Sequence, residues 1–332
     1  MSAFVAISDD QLRDELSKIA NDPTAANAFF GRFQYVQELV VGNYCAAFEQ
    51  GIQLLYKCQS LASEAYVKVH KGTPFYWLGT AAFLKHDYEI AVFFFDAAVS
   101  EDLRISAHPV HNSTPSIRFI LVEGDQPEQA ALPLVRETQN RLEAAITAYN
   151  QLPGRPATVA PLEMREVRSS FLQRAVRRGG EGFRTLATAL ISFCLEWSYM
   201  IALTKLRPAE GTTEPFFLHL FKGCLLFESL LKANPRKPLK GDENLGQALQ
   251  KLNAELGTPH DITIRGTDFS AILALLSTST NSIPSAVQYA SIIRNTVGHH
   301  LGWKASLDGE AYDGLATKVA CACLHAIACL YR

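Results

Sequence analysis

The sequence has no uninterrupted apolar run approaching the roughly 18 residues that a membrane-spanning helix needs. Its longest apolar stretch, residues 183–206, is broken by Arg184 and Glu196, which favours a largely buried helix. The N-terminus also lacks a leader with basic and apolar segments. We therefore expect a cytoplasmic protein with no membrane partner.

Sequence patterns for disulfide frameworks, metal sites and nucleotide loops are missing as well. The seven cysteines are odd in number and lie mostly inside apolar segments, so we expect reduced, buried thiols. Cys321, Cys323 and His325 lack CxxC spacing, and helical residues two apart point to different sides. No GxxxxGK[ST] loop, dinucleotide fingerprint or GxSxG motif occurs. The sequence predicts no metal and no cofactor.

Apolar residues at helical spacing are abundant. The chain has 332 residues, 48% hydrophobic and 19% charged, which is enough for a sizeable core and for two domains. Alternating strand patterns are scarce, and only residues 116–124 could be extended. We predict an all-α protein with at most one short strand. The predicted helices cover residues 9–20, 25–57, 59–69, 73–84, 87–100, 128–150, 161–178, 182–206, 214–233, 243–255, 267–277, 283–300 and 309–331.

A segment rich in proline and glycine, residues 153–161, separates two halves of different charge. Acidic residues outnumber basic ones before it, and basic residues outnumber acidic ones after it. Such a segment is typical of a linker. The sequence therefore predicts two domains, residues 1–160 and 161–332.

Much of the positive charge of the second half lies in residues 164–184. Guanidinium groups match phosphate oxygens in a fork, so a local cluster of arginines could bind an RNA backbone. A solvated helix face that pairs with acidic residues of the N-terminal half is the alternative. The candidate RNA-binding residues are Arg165, Arg168, Arg174, Arg177 and Arg178.

Residues 72–104 have the spacing of a helical hairpin with small residues where the two helices would meet. The stretch resembles a tetratricopeptide repeat, and a shift of 34 residues in either direction gives no second match. The resemblance implies a helical scaffold that binds a peptide, a partner protein or a regulator. An ordinary, well-packed hairpin is the alternative. The matching residues are Phe75, Leu78, Gly79, Ala82, Ala91, Phe95 and Ala98, with Tyr88 at the turn.

The most informative stretch is SIIRNTVGHHLGW, residues 291–303, which follows an apolar helix carrying Glu228 and a polar insertion. This order resembles the HEPN domain family (higher eukaryote and prokaryote nucleotide-binding), helical bundles with an Arg-x(4–6)-His motif on a late helix. The motif here runs from Arg294 to His299, with Asn295 as the polar residue after the arginine. The resemblance implies a C-terminal HEPN-like bundle with metal-independent endoribonuclease activity, of the kind used by toxins and effectors of antiviral defence.

The residue types suit RNA cleavage through the 2′-hydroxyl, independently of any family. Histidine can move protons near neutral pH because its ordinary pKa is about 6.5. Arginine is always charged and can stabilise the phosphorane oxygens. We therefore expect His299 and Arg294 to be catalytic, with His300 as the alternative ring. Asn295, four residues before His299, could orient that ring, and Glu228 could support the site or pair with Arg294 for structure alone.

The spacing of the motif also predicts a second copy. Residues five apart, such as Arg294 and His299, lie about 140° apart around one helix. Gly298 and Gly302 continue the face of Arg294 and would allow another backbone to approach. We expect a homodimer in which two motifs form one cleft, as the resemblance also implies.

Three alternatives stay open at this point. Gly298 and the two histidines could be an ordinary helix end, with the rings stabilising the helix dipole. The protein could be a helical adaptor for RNA or protein that keeps the motif for structure. It could also bind a nucleotide through Arg294 and the histidines without hydrolysing it.

Overall fold

A computed structural model of the chain describes residues 7–106, 114–123, 132–177, 179–208, 211–240, 242–257, 269–298 and 307–332. Every regular element in these ranges is a helix, which confirms the all-α prediction. The chain forms two compact units, Met1–Arg136 with Val176–Gly180, and Glu137–Ala175 with Glu181–Arg332. They divide inside one helix, earlier than the predicted boundary at 160/161.

The helices of the first unit are short, except for two of about five turns each. They are α1 Asp9–Ile19, α2 Pro23–Gly31, α3 Gln34–Val40, α4 Tyr44–Leu61, α5 Ser63–Lys68, α6 Gly72–Leu84, α7 Tyr88–Ile105 and α8 Pro115–Leu121. Helix α9, Leu132–Gln151, begins in this unit and continues into the second.

The helices of the second unit are longer and more apolar. After α9 they are α10 Met164–Val167, a π-helical turn Arg168–Leu172, α11 Gln173–Ala175, α12 Glu181–Leu206, α13 Glu214–Lys232, α14 Leu245–Lys251, α15 Asn253–Leu256, α16 Phe269–Thr278, α17 Ile283–Val297 and α18 Gly309–Leu330.

The prediction of one long helix over residues 25–57 was wrong. The segment forms three helices, because the chain bends at Phe33 and again at Gly42. Phe33 has extended backbone angles, and its side chain is buried against Phe29. Gly42 has a φ of +84°, a left-handed conformation that glycine adopts without steric cost. Burial of Phe33 and the left-handed backbone of exposed Gly42 override a helical period that continues through both bends.

Helices α6 and α7 pack against each other as the predicted hairpin, and Gly79 lies at their contact. A Cβ atom on Gly79 would lie 2.9 Å from the ring of Phe95 and 3.1 Å from the carbonyl oxygen of Ala91. The ring of Phe95 also packs on Phe119 of α8, with centroids 4.1 Å apart. Gly79, one of the small residues predicted to let the helices approach, therefore could not gain a methyl group without disturbing this packing.

The prediction of an extended segment at 116–124 was wrong over its described part. Residues 115–121 form α8, which begins with the hydroxyl of Thr114 accepting from the backbone N–H of Ile117 and with Pro115 in the first turn. Proline is favourable there because its fixed φ suits a helix start. The run of large apolar residues is buried on several sides, so its spacing does not distinguish helix from strand.

The second unit is built around α18, which packs against α12, α13 and α17. Gly223 lets α12, α13 and α18 cross closely, since a Cβ there would lie 2.5 Å from both Phe193 and Val319. By length and composition α12 and α18 could each cross a membrane, a test that core helices also pass. In the most apolar 18-residue stretch of α18, 83% of the residues are buried, and in that of α12 only 50% are. Helix α12 is therefore less buried than predicted.

Most of the cysteines are buried, as expected from the apolar segments in which they lie. All seven are free, six are buried, and Cys45 is exposed. Burial raises the pKa of the Cys194 thiol, and likewise that of Cys321, to about 12. Such thiols stay protonated at neutral pH and behave as small apolar side chains.

Candidate functional site

Arg294 and Glu228 are brought together by the packing of α17 against α13. The Nε atom of Arg294 donates a hydrogen bond to Oε2 of Glu228 at 2.7 Å. Lys232, one turn after Glu228 on α13, reaches the other carboxylate oxygen, Oε1, at 2.8 Å. One buried carboxylate thus holds two cations, and the pairing of Glu228 with Arg294 considered from the sequence is present.

The environment keeps Glu228 ionised. Its side chain is only 7% exposed, and this burial by itself opposes the charged form. The hydrogen bonds from Lys232 and Arg294 outweigh burial and lower the pKa of the carboxyl below its ordinary value. The three formal charges leave the cluster with a net positive charge, as an anion site requires.

Arg294 is held on one side and open on the other. Its side chain is 32% exposed. Within the described ranges the guanidinium hydrogen-bonds to a carboxylate through Nε, and both Nη groups have no partner there. Asn295, the next residue, is exposed. The cluster therefore presents a fixed guanidinium edge, with two N–H-bearing nitrogens, that a phosphate could reach.

Helix α17 ends just before the histidine pair, and not at residue 300 as predicted. Its last residue is Val297, and Gly298 caps it by donating its N–H to the carbonyl of Arg294 at 3.1 Å. His299, His300 and Gly302 lie outside the described residues. Gly298, whose N–H is bonded to the carbonyl of Arg294, is thus the residue that directly precedes His299 in the sequence. The expected shared helix face of Asn295 and His299 depended on a longer helix.

Gly298 faces α13 of its own chain. A Cβ on Gly298 would lie 2.7 Å from the carbonyl oxygen of Arg294, too close for an unstrained contact, and 3.4 Å from the ring of Phe221. On α13, Leu218 and Leu225 flank Phe221 in sequence and are 48% and 41% exposed. The sequence analysis did not single out these leucines or Lys232. The spacing of four residues between Glu228 and Lys232 could have indicated their ion pair. Leu218 and Leu225 are seven residues apart, which is about two helical turns.

The five arginines predicted to bind RNA are not one uniform surface. Arg165 is 80% exposed and pairs with Glu163 at 2.7 Å. Arg174 donates from Nε to the carbonyl of Ser170 and stands over the ring of Phe183. Arg168 is half-buried, Arg177 is exposed in the first compact unit, and Arg178 lies outside the described residues.

A second polar cluster, which the sequence analysis missed, is buried between α12, α13 and α18. The hydroxyl of Tyr312 lies 2.7 Å from Nδ1 of His219, and Nε2 of His219 lies 3.0 Å from the carbonyl of Phe193. Lys222 bonds both carboxylate oxygens of Glu196 at 3.1 Å. Burial lowers the pKa of His219 to about 3, so its ring is neutral. Its partners are all internal, as expected for a structural network.

No group of three or more potential metal ligands occurs among the described residues. No family model, curated protein or solved structure matches this chain.

Proposed function

We propose that the protein is a metal-independent endoribonuclease of the HEPN type that acts as a homodimer. The observation that carries the proposal is the guanidinium of Arg294, fixed through Nε by buried Glu228 and open at both Nη groups within the described part of the chain. An edge held by a buried carboxylate is pre-organised for an oxyanion.

In the proposed reaction the 2′-hydroxyl of a ribose attacks the adjacent phosphorus, and the bond to the 5′-oxygen of the next nucleotide breaks. The 2′-hydroxyl loses a proton and the departing 5′-oxygen gains one, so the products are a 2′,3′-cyclic phosphate and a free 5′-hydroxyl. His299 handles proton transfer, with His300 as the alternative, and Arg294 stabilises the negative oxygens of the phosphorane. Asn295 orients the ring or the phosphate.

Exposed arginines outside this cluster would hold the RNA backbone. Among the described members of the predicted set, Arg165 and Arg177 are exposed. Each phosphate contact contributes to a steep salt dependence of binding, so removal of one contact lowers the slope of log affinity against log salt by about 1. The N-terminal unit would restrain or direct the nuclease, consistent with a toxin or an antiviral effector.

The direct test compares wild type with Arg294→Ala and His299→Ala on total RNA in EDTA. We expect wild type to leave 2′,3′-cyclic phosphate ends and each variant to lose about 100-fold or more in rate. Arg13→Ala is a matched control, because it removes an exposed arginine of the N-terminal unit. A folded wild type that leaves RNA intact, or variants that cleave at the wild-type rate, would contradict the proposal.

The second candidate is an adaptor that binds RNA or protein without catalysis. The N-terminal unit favours it with two widely exposed aromatic side chains, Tyr56 at 73% and Phe93 at 61%. Aromatic residues are enriched in protein interfaces. RNA binding that depends on salt, without new cyclic phosphate ends, would support this candidate over the nuclease.

A further inference from the structure

Leu218 and Leu225 form a short apolar strip on the outer surface of α13. They are 48% and 41% exposed. Seven residues correspond to about 700° of helical rotation, so the two side chains lie within about 20° of one line along the helix. Leucines at this spacing are the seam of helices that pair side by side. The other faces of α13 are packed against neighbouring helices, so these two leucines form a surface that no described residue covers.

Charged groups border this strip on both sides. On the side toward α12, Lys222 is bonded to Glu196. On the side toward α17, Arg294 is bonded to Glu228, and Lys232, seven residues after Leu225 and in line with the strip, bonds the same carboxylate. Ion pairs that flank an apolar seam are typical of paired helices, in which they set orientation and exclude water from the leucines.

We propose that the strip pairs with the same strip of a second copy of this chain, with the two α13 helices antiparallel. A two-fold axis between Phe221 and Lys222 places Leu218 of one copy against Leu225 of the other, so both leucines are covered by one self-complementary contact. The same arrangement brings exposed Glu214, in the first turn of α13, within one turn of Lys232 in the last turn of the other copy. Charge complementarity therefore favours the antiparallel pair.

This pairing has a consequence for the catalytic arginines, and to that extent it rests on the proposed function. The two-fold axis of an antiparallel helix pair is perpendicular to the plane of the two helices. A rotation of 180° about this axis exchanges the two helices and reverses their direction. An atom above the plane in one copy therefore has its equivalent above the plane in the other copy. Both α17 helices, and hence Arg294 of both copies, fall on one side of the paired α13 helices. Glu228, which holds Arg294, is about 10 Å along α13 from the axis, so the two arginines would lie about 20 Å apart along the paired helices and border one wide cleft.

The first experiment measures the mass of the protein in solution by sedimentation equilibrium over a range of concentrations. We expect wild type to have twice the chain mass and Leu218→Asp/Leu225→Asp to have the mass of one chain. Leu206→Asp is the control, because Leu206 is 78% exposed on α12 and lies outside the strip. A wild type with the mass of one chain at all concentrations, or a double variant that keeps twice the mass, overturns the pairing.

A second experiment tests the register and does not depend on destabilising the dimer. In a Cys45→Ser background, which removes the exposed thiol, Leu218→Cys and Leu225→Cys chains are prepared separately. A bis-maleimide about 8 Å long should join them when mixed, because facing positions of paired helices are ~8–10 Å apart. Each variant alone should resist, because identical positions would be about 14 Å apart. Equal linking of unmixed chains would overturn the antiparallel register.

The two proposals can fail separately. A linked, dimeric wild type that does not cleave RNA contradicts the nuclease and leaves the pairing in place. Cleavage by Leu218→Asp/Leu225→Asp chains with the mass of one chain, at the wild-type rate, contradicts the shared cleft and leaves Arg294 chemistry in place. Loss of both dimer and cleavage in that variant, with a wild-type melting curve, supports both.

Discussion

Arg294 and Glu228 are joined by a hydrogen bond of 2.7 Å from Nε to Oε2, although 66 residues separate them in the chain. Bonding through Nε restricts the plane of the guanidinium and leaves the two Nη groups without a hydrogen-bond partner among the described residues. Lys232 supplies the second cation that keeps Glu228 charged. A side chain that has many rotamers when free is thereby restricted before any ligand arrives.

Substitution of Arg294 by lysine should separate charge from geometry. Lysine keeps the positive charge but loses the planar fork, so it cannot bond Glu228 and present two nitrogens to a phosphate at the same time. We expect Arg294→Lys to lower the rate of RNA cleavage at least 10-fold while leaving the mass in solution unchanged. Initial rates on a short RNA, beside Arg294→Ala, are the measurement. A rate equal to wild type would show that charge alone is enough.

The acid stability of the fold should depend on Glu228. Its pKa is lower in the folded chain than in the unfolded chain, where it is about 4.3. The pair therefore stabilises the fold at pH values above about 4.3, and this contribution is lost as pH falls through the folded pKa. We expect urea midpoints of wild type to fall in that acid range more steeply than those of Glu228→Gln. Parallel curves for the two proteins would argue against the assigned ion pair.

His219 should make the fold less stable at mildly acidic pH. Burial lowers its pKa to about 3, while the unfolded ring has a pKa of about 6.5, so the unfolded chain binds a proton that the folded chain does not. Stability is full above pH 6.5 and falls below it, by up to about 1.4 kcal/mol per pH unit. His219→Gln should reduce that slope between pH 6 and pH 4 in urea unfolding. His325, whose pKa is also lowered by burial, should contribute a slope of the same sign and serves as a parallel case.

A methyl group at Gly79 should disturb the α6 and α7 hairpin. The new Cβ would lie 2.9 Å from the ring of Phe95, and overpacking of this kind costs about 1 to 3 kcal/mol. Gly182→Ala is the matched control, because nothing lies within 4 Å of a Cβ there and alanine favours a helix. Thermal melting should show a lower Tm for Gly79→Ala and an unchanged or higher Tm for Gly182→Ala. A tolerated Gly79→Ala would mean that Phe95 can move aside.

Periodicity of apolar residues was enough to predict the all-α class and the positions of α7, α9, α12, α13 and α18. It failed where residues are buried on several sides, because a segment such as 115–121 then has no polar face to reveal its period. It also failed at Gly42, where a left-handed residue ends a helix inside a pattern that continues. Local backbone geometry and tertiary burial decide such positions, and neither is encoded in spacing.

The candidate site was predictable in part. Arg294 and Glu228 were both identified, because an arginine and an acid are uncommon within apolar helices. Their contact depends on the crossing of α13 and α17, so the sequence allowed pairing without determining it. The sequence did not predict the exposure of Leu218, because a leucine at helical spacing is normally part of the core. Catalysis, RNA binding and the homodimer stay predictions.

The distribution of thiols described above makes the native chain suited to single-position labelling. Cys45 is exposed, and the other six cysteines are buried. A maleimide dye added at neutral pH should attach at Cys45, on α4 of the N-terminal unit, without any engineered mutation. Such a fluorophore would report rotational tumbling and energy transfer from the N-terminal unit, so that its response to RNA or to another protein could be followed in the wild-type chain.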